Sequence, residues 1–299
     1  MHYIKIAFVL CIAIVLFGAQ TFFNTQIGVV VEEPFGGRSI VQMSRKEAKD
    51  LDYFFREIMI PDSLAYTLIG EKPLSFTCLR QPGSSLLSLM PPNLKLIRGW
   101  KTWKKYQHFF QTSRVKFWAE KSPWVKGIIC IVLADTDYCN RLMKQNATDF
   151  GEILGQQTED FFSDVGQIHF FQNTLQMHEA LIGILLGYGK ENAWLYWGNI
   201  LKKSSCSKLT RIGNSILEEE SAGYSWKYCT LQTMDMLDLK LPQFVGNPDS
   251  DESKNLMERY LAARGKIKEF YETRDFLSAT LSLYKHGSVL LDYSAEGIH

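Results

Sequence analysis

Hydrophobic positions are densest at the amino terminus. Between Lys5 and Glu32 the chain carries no charge, and Ile6 to Phe23 reads IAFVLCIAIVLFGAQTFF. A helix crossing the hydrocarbon of a bilayer needs about 20 apolar residues, and this stretch supplies nearly that. A basic start followed by an apolar run is also the layout of a secretory signal peptide. A cut after Ala19 would leave Phe17 where a small residue is required, so the pattern predicts a retained transmembrane anchor over residues 6–23, with a cleaved signal as the alternative. Lys5 predicts a cytoplasmic amino terminus over residues 1–5 by the positive-inside tendency. The rest of the chain is then expected on the outer, periplasmic side of an inner membrane, single-pass, or secreted if the leader is removed.

Beyond the leader, residues 24–42 read as a linker punctuated by EEPFGG, and residues 43–299 as a single domain. SRKEAKDLDYFFREI, from Ser44 to Ile58, has a capping-box pair in Ser44 and Glu47 and an apolar stripe of Leu51, Phe54, Phe55 and Ile58. It predicts a helix that stops at Pro61 and Asp62. Gly70 predicts a turn, and Pro73 opens a strand to Cys78. Pro91 and Pro92 announce a helix from Asn93 to about Gln111. Phe117-Trp118 and Gly127 to Leu133 predict strands, the second an unbroken apolar run and so a central strand buried on both faces. Helices are expected over Asp135 to Met143 and Thr148 to Phe162. Further on, Asp251 to Phe270 has Leu256, Tyr260, Ala263 and Ile267 on one stripe, Phe276 to Leu283 continues as helix, and Ser288 to Tyr293 is expected as a last strand. A short segment is expected at Tyr228 to Leu239, among loops. Few strands scattered among helices predict an α+β fold, several helices on a small sheet, preceded by the hydrophobic helix.

HEALIGILLGYGKENAWLYW, from His178 to Trp197, is the densest apolar stretch within the domain. Asn173 and Gln176 would cap its helix. From Ala180 to Tyr188 the helix is apolar on every side, which places it in a core or in lipid. It is about half the length a bilayer requires and is bracketed by His178, Glu179, Lys190 and Glu191, so it is expected in the core. Gly187 and Gly189 should break it before a second segment from Asn192 to Leu201.

Composition narrows the picture only slightly. The 299 residues are 46% hydrophobic and 22% charged with a net charge of +1, so no overall field selects nucleic acid or an acidic partner. Cys78, Cys130, Cys139, Cys206 and Cys229 follow the leader without zinc-type spacing. Cys130 reads as a core residue. Cys206 and Cys229 either pair in an oxidising compartment or stay free like the others.

Four features are candidates for chemistry. Glu179 shares a helix face with Leu175, Ile182 and Leu186; a carboxylate against apolar neighbours has a raised pKa and suits acid–base work. His178 beside it points roughly 100° away and is a candidate binding residue, not a preformed partner. HExxH fails because residue 182 is Ile. Lys72 and Asn192 are candidates for positioning a polar substrate. From Lys95 to Lys126 there are nine Lys or Arg against one acid, Glu120. Lys95, Arg98, Lys101 and Lys105 lie along one helix side, with Trp103 among the aromatics of the other, a pattern that suits an anionic lipid surface or a solvated face more than nucleic acid. Asp135-x-Asp137 after an apolar strand is a weak metal pattern, and no metal or other cofactor is expected.

Two short stretches carry a resemblance. AYTLIGEKPLSF (Tyr66, Gly70, Lys72, Pro73) and LIGILLGYGKENA (Leu186, Gly187, Gly189, Asn192, Ala193) are similar to paired segments of an uncharacterised protein family of chlamydia-like and legionella-like intracellular bacteria. The resemblance implies a bacterial protein with an amino-terminal hydrophobic segment, and no assigned activity comes with it. The combined expectation is a membrane-anchored envelope protein whose domain binds anionic lipid or a protein partner. The alternative is an envelope hydrolase or transferase using Glu179 as acid or base.

Overall fold

A computed structural model of the chain describes residues 25–81, 83, 91–155, 162, 169–202, 210–212, 238–287 and 289–291. The anchor or signal segment, Cys206, Cys229 and most of the segment expected at 228–239 lie outside the described residues. Among the described residues no helix is long and apolar enough to cross a membrane.

The stretch read as a linker is instead a hairpin. β1 (Gln26–Glu32) pairs antiparallel with β2 (Arg38–Ser44) in a register from Gln26↔Ser44 to Glu32↔Arg38. Alternation places Val29, Val31, Val41 and Met43 inward. Pro34 and Gly36, read as linker punctuation, form the connecting turn, with Gly36 at φ +79°. Ser44 ends β2 and caps α1 (Arg45–Met59): its hydroxyl accepts from the Glu47 amide at 3.3 Å, and its own amide donates to the Glu47 carboxylate at 2.9 Å. The box and the buried stripe Leu51, Phe54, Phe55 and Ile58 fall where the pattern predicts.

After a short buried helix that the pattern does not signal, α2 (Leu64–Leu68), Gly70 turns the chain at φ +79° into β3 (Leu74–Arg80). α3 (Pro91–Tyr106) continues as a 3₁₀ turn to Phe110 and is followed by β4 (Val115–Lys121) and β5 (Ile128–Asp135). The sheet order is β3-β5-β4, all antiparallel. β5 is therefore central, as its unbroken apolar run predicts. Its residues alternate between two cores. Ile131 and Leu133 join the one built by the hairpin, α1 and α3, and Cys130, Val132 and Ala134 join the other. Asp135 then caps α4 (Thr136–Gln145), which leads into α5 (Ala147–Leu154).

Phe170–Thr174 is a π turn, not a capped helix start, so Asn173 is not the expected cap. Gln176 and Met177 both have positive φ, which α-helix excludes, and the helix begins later, as α6 (Glu179–Leu185) with His178 at its N-cap position. Ala180 through Leu186 are buried, as an all-round apolar helix requires. Gly187 and Gly189, at φ +75° and +87°, break the chain before α7 (Lys190–Lys202). Two short strands, β6 (Thr210–Ile212) and β7 (Phe244–Gly246), pair antiparallel. α8 (Asp251–Glu272) and α9 (Phe276–His286) complete the first core. Val289–Leu291 is helical, so the expected final strand is absent there.

α9 closes onto the hairpin. Ser282 accepts from the Glu32 amide at 2.8 Å, Arg274 pairs with Glu32 at 3.0 Å and Lys285 with Glu33 at 2.5 Å. Among the described residues helix makes up 58% and strand 19%, and every ladder is antiparallel, so the fold is α+β.

Candidate ligand cleft between α6, α7 and β7

An all-apolar helix needs cover on every side, and the cleft follows from how α6 is covered. Gly183 lets α7 come close; a Cβ there would stand 3.0 Å from the Ala193 Cβ. The turn through Gly187 and Gly189 reverses the chain. Glu252, reaching from α8, fills the space beside Gly189 and accepts from the Glu191 and Asn192 amides at 3.2 and 2.9 Å, capping the amino terminus of α7. Asn192 then fixes β7. Its side-chain oxygen accepts from the Asn247 amide at 3.1 Å, and its amide donates to Tyr188 O and Ser253 Oγ, each at 3.1 Å. Tyr188 stacks on Phe244 at 6.1 Å between ring centres.

These contacts leave a cleft of about 290 Å³ whose walls include Ile182, Leu186, Tyr188, Tyr196 and Phe244. Glu179 is the charged residue among its described lining. Partial burial raises the Glu179 pKa, and a hydrogen bond from the Trp124 indole works against that rise. Trp124 is itself held by stacking on Phe76 at 5.6 Å and by Phe171 at 4.9 Å.

The other residues singled out from sequence fall in several places. Asn192 lines the cleft, but both ends of its amide are committed to holding β7, so its role is architectural. Lys72 is buried and does not line the cleft. Its ammonium lies 5.8 Å from the centre of the Tyr188 ring, and burial, opposed by the charge of Asp62, brings its pKa down to about 8. Lys72, Glu179 and Asn192 therefore do not converge on one substrate position. His178 sits between Trp194 and Trp197, with ring centres 5.6 and 4.8 Å away, and burial lowers its pKa.

Three of the four basic residues singled out on α3 meet groups of α1, two of them carboxylates. Lys105 pairs with Glu47 at 2.6 Å, Arg98 approaches Asp50 at 3.6 Å, and Lys95 lies 5.0 Å from the Tyr53 ring centre. Trp103 is fully buried beside Phe55, Phe110 and Tyr284, so it cannot meet a lipid surface. Lys101 is exposed. Asp135 of the Asp-x-Asp pattern accepts from the Tyr138 amide at 2.9 Å and pairs with Arg114 at 2.5 Å. No three His, Cys, Asp or Glu side chains gather as a metal site among the described residues.

Two groups carry more structure than their sequence context announces. Glu120 is a buried carboxylate that accepts from the Phe170 and Phe171 amides at 2.8 and 3.3 Å and from the Trp118 indole at 3.2 Å, holding the π turn to the sheet. Its isolation as the one acid of a basic stretch was the available signal. Asp62 accepts a hydrogen bond from Thr77, and burial raises its pKa. Nothing local marks it, because its neighbours arrive from β3.

Fold and cleft together define an α+β protein with a small aromatic-walled cleft carrying one acid. No protein-family model matches this chain, and neither a curated protein nor a solved structure is detectably similar to it.

Proposed function

We propose that this chain is a binding protein held at a membrane by residues 6–23, and that the cleft between α6, α7 and β7 takes a small ligand with a cationic group on an apolar body. The observation that carries the reading is the placement of Glu179 as the charged residue of a described lining that is otherwise uncharged and mostly aromatic and aliphatic, with Asn192 and Gln243 as its amide side chains. A carboxylate draws an ammonium or guanidinium, and the faces of Tyr188 and Tyr196 favour a cation through their quadrupoles. The volume is at the low end for ligand sites, which restricts the occupant to a small molecule or one side chain of a partner. Binding suits the geometry better than acid–base catalysis, because the described lining brings Glu179 no His, Lys, Arg or second carboxylate, and burial raises the pKa of the Tyr188 phenol further. The membrane part rests on the uncharged run of residues 6–23. With Arg98 and Lys105 of α3 paired to α1 and Trp103 buried, that run is the stronger basis for lipid contact.

The cleft is tested with benzylammonium and its neutral counterpart, benzyl alcohol, titrated into the full chain and followed by Trp fluorescence. A charge-assisted hydrogen bond is worth about 1.5–3 kcal/mol, so benzylammonium should bind at least about tenfold more tightly, and Glu179→Gln should remove that preference. Equal affinity for the two probes, or a preference that survives Glu179→Gln, refutes the reading. Flotation with phosphatidylglycerol vesicles tests the anchor separately. The native chain should float and a chain carrying Ile14→Arg and Val15→Arg should not.

A further inference from the structure

Cys78 and Cys130 lie far apart in the chain, on β3 and β5. The β3–β5 register sets them directly opposite each other, with Sγ atoms 3.7 Å apart, both reduced. Directly opposed residues of antiparallel strands have Cα atoms about 4.5–5.5 Å apart, inside the span of about 4.4–6.8 Å that a disulfide bridges. The two thiols differ in access: Cys78 is exposed and Cys130 is buried. Cys139 is also buried, and its thiol is engaged with Pro73 O at 3.3 Å.

The geometry points to a thiol–disulfide exchange site in which Cys78 is the accessible attacking thiol and Cys130 the resolving thiol, closing a disulfide between β3 and β5. The hydrogen bond shared by the two thiols lowers the pKa of Cys78 and, with burial, raises that of Cys130, which matches the division of roles. The oxidant is a small disulfide such as glutathione disulfide. Cys78 gives up its proton, and its thiolate attacks one sulfur of that disulfide. A mixed disulfide forms on Cys78, and one thiolate leaves and takes up a proton. Cys130 then loses its proton and attacks Cys78 Sγ, expelling the second thiolate, which is protonated in turn. Two protein thiols are oxidised and one external disulfide is reduced to two thiols. Closure requires the sulfur atoms to approach to about 2 Å, within reach of side-chain rotation in a sheet already in register. In an oxidising compartment the sheet would be stapled; in a reducing one it would stay open.

The test incubates the folded full chain with glutathione disulfide, quenches with acid and maps peptides by mass. The expected product is a link between the Cys78 and Cys130 peptides, reversed by dithiothreitol, with a melting midpoint raised by about 5–10 °C while the link is intact. Cys130→Ala should stop the reaction at glutathione retained on Cys78. Peptide mapping of the unaltered chain keeps the question open even if that variant folds poorly. Glutathione retained on Cys78 of the unaltered chain, or a link from Cys78 to another cysteine, overturns the proposal.

Discussion

Replacing Gly99 by Ala tests how α3 is seated on α1. Gly99 lies inside α3, where Ala is intrinsically favoured over Gly by about 1 kcal/mol. Propensity alone therefore predicts stabilisation. The structure predicts the reverse. A Cβ at Gly99 would lie 2.5 Å from the Asp50 carbonyl oxygen and closer still to the Phe54 Cβ. Both atoms belong to or adjoin the main chain of α1, so no rotamer change relieves the clash and α3 must retreat. Overpacking of this kind costs about 1–3 kcal/mol, and the rigid neighbours place Gly99→Ala toward the upper end, for a net loss of about 2 kcal/mol. Gly265 supplies the control. It lies inside α8 with nothing within 4 Å of a built Cβ, so Gly265→Ala should gain about 0.5–1 kcal/mol. Urea unfolding followed by Trp fluorescence reads both, since Trp100 and Trp103 sit in the first core beside the contact. The two substitutions should move the midpoint in opposite directions. If both raise it, or Gly99→Ala stays within about 0.5 kcal/mol of the native chain, the close approach of α1 and α3 is refuted.

Two further outcomes follow from buried charge and from capping. Lys72 has its pKa brought down to about 8 in the folded chain against an ordinary value of 10.5, so between those pH values the unfolded chain holds the extra proton and stability rises with pH. Unfolding free energies measured from pH 8 to 10.5 should rise for the native chain relative to Lys72→Met, by up to about 3 kcal/mol; parallel curves would show that Lys72 is not held in a desolvated site. Glu252→Ala removes the carboxylate that accepts from the first amides of α7 and should cost about 1 kcal/mol in thermal melts, with faster amide exchange at Glu191 and Asn192. Exchange there that stays as slow as in the native chain would mean that Glu252 does not cap the helix.

What the sequence determined by itself is what short-range physics encodes. Ser44 and Glu47 complete their box within a single helical turn, so the start of α1 needs no distant partner to be legible. The apolar run at Ile128 to Leu133, of strand length and bounded by Gly127, fits a strand covered on both faces, and the closely spaced Gly187 and Gly189 supply the positive φ at which α6 ends. The core position of α6 also follows from its all-round apolar sequence, whereas the raised pKa of Glu179 comes from burial at the start of the helix, with Leu175 outside it.

Only the tertiary structure decided which partner each exposed pattern meets. The hairpin of residues 26–44 was hidden because Pro34 and Gly36 serve a linker or a turn equally well, and α9 supplies the contacts that dock it. The basic stripe of α3 is as compatible with lipid as with protein until α1 presents Glu47, Asp50 and Tyr53 to it. Asn192 reads as a polar ligand contact until Asn247 and Ser253 claim both ends of its amide. Cys78 and Cys130 become neighbours only through the register of β3 on β5. In each case the local pattern fixes the kind of surface, whereas the partner comes from a distant part of the chain and is selected by the packing of the whole.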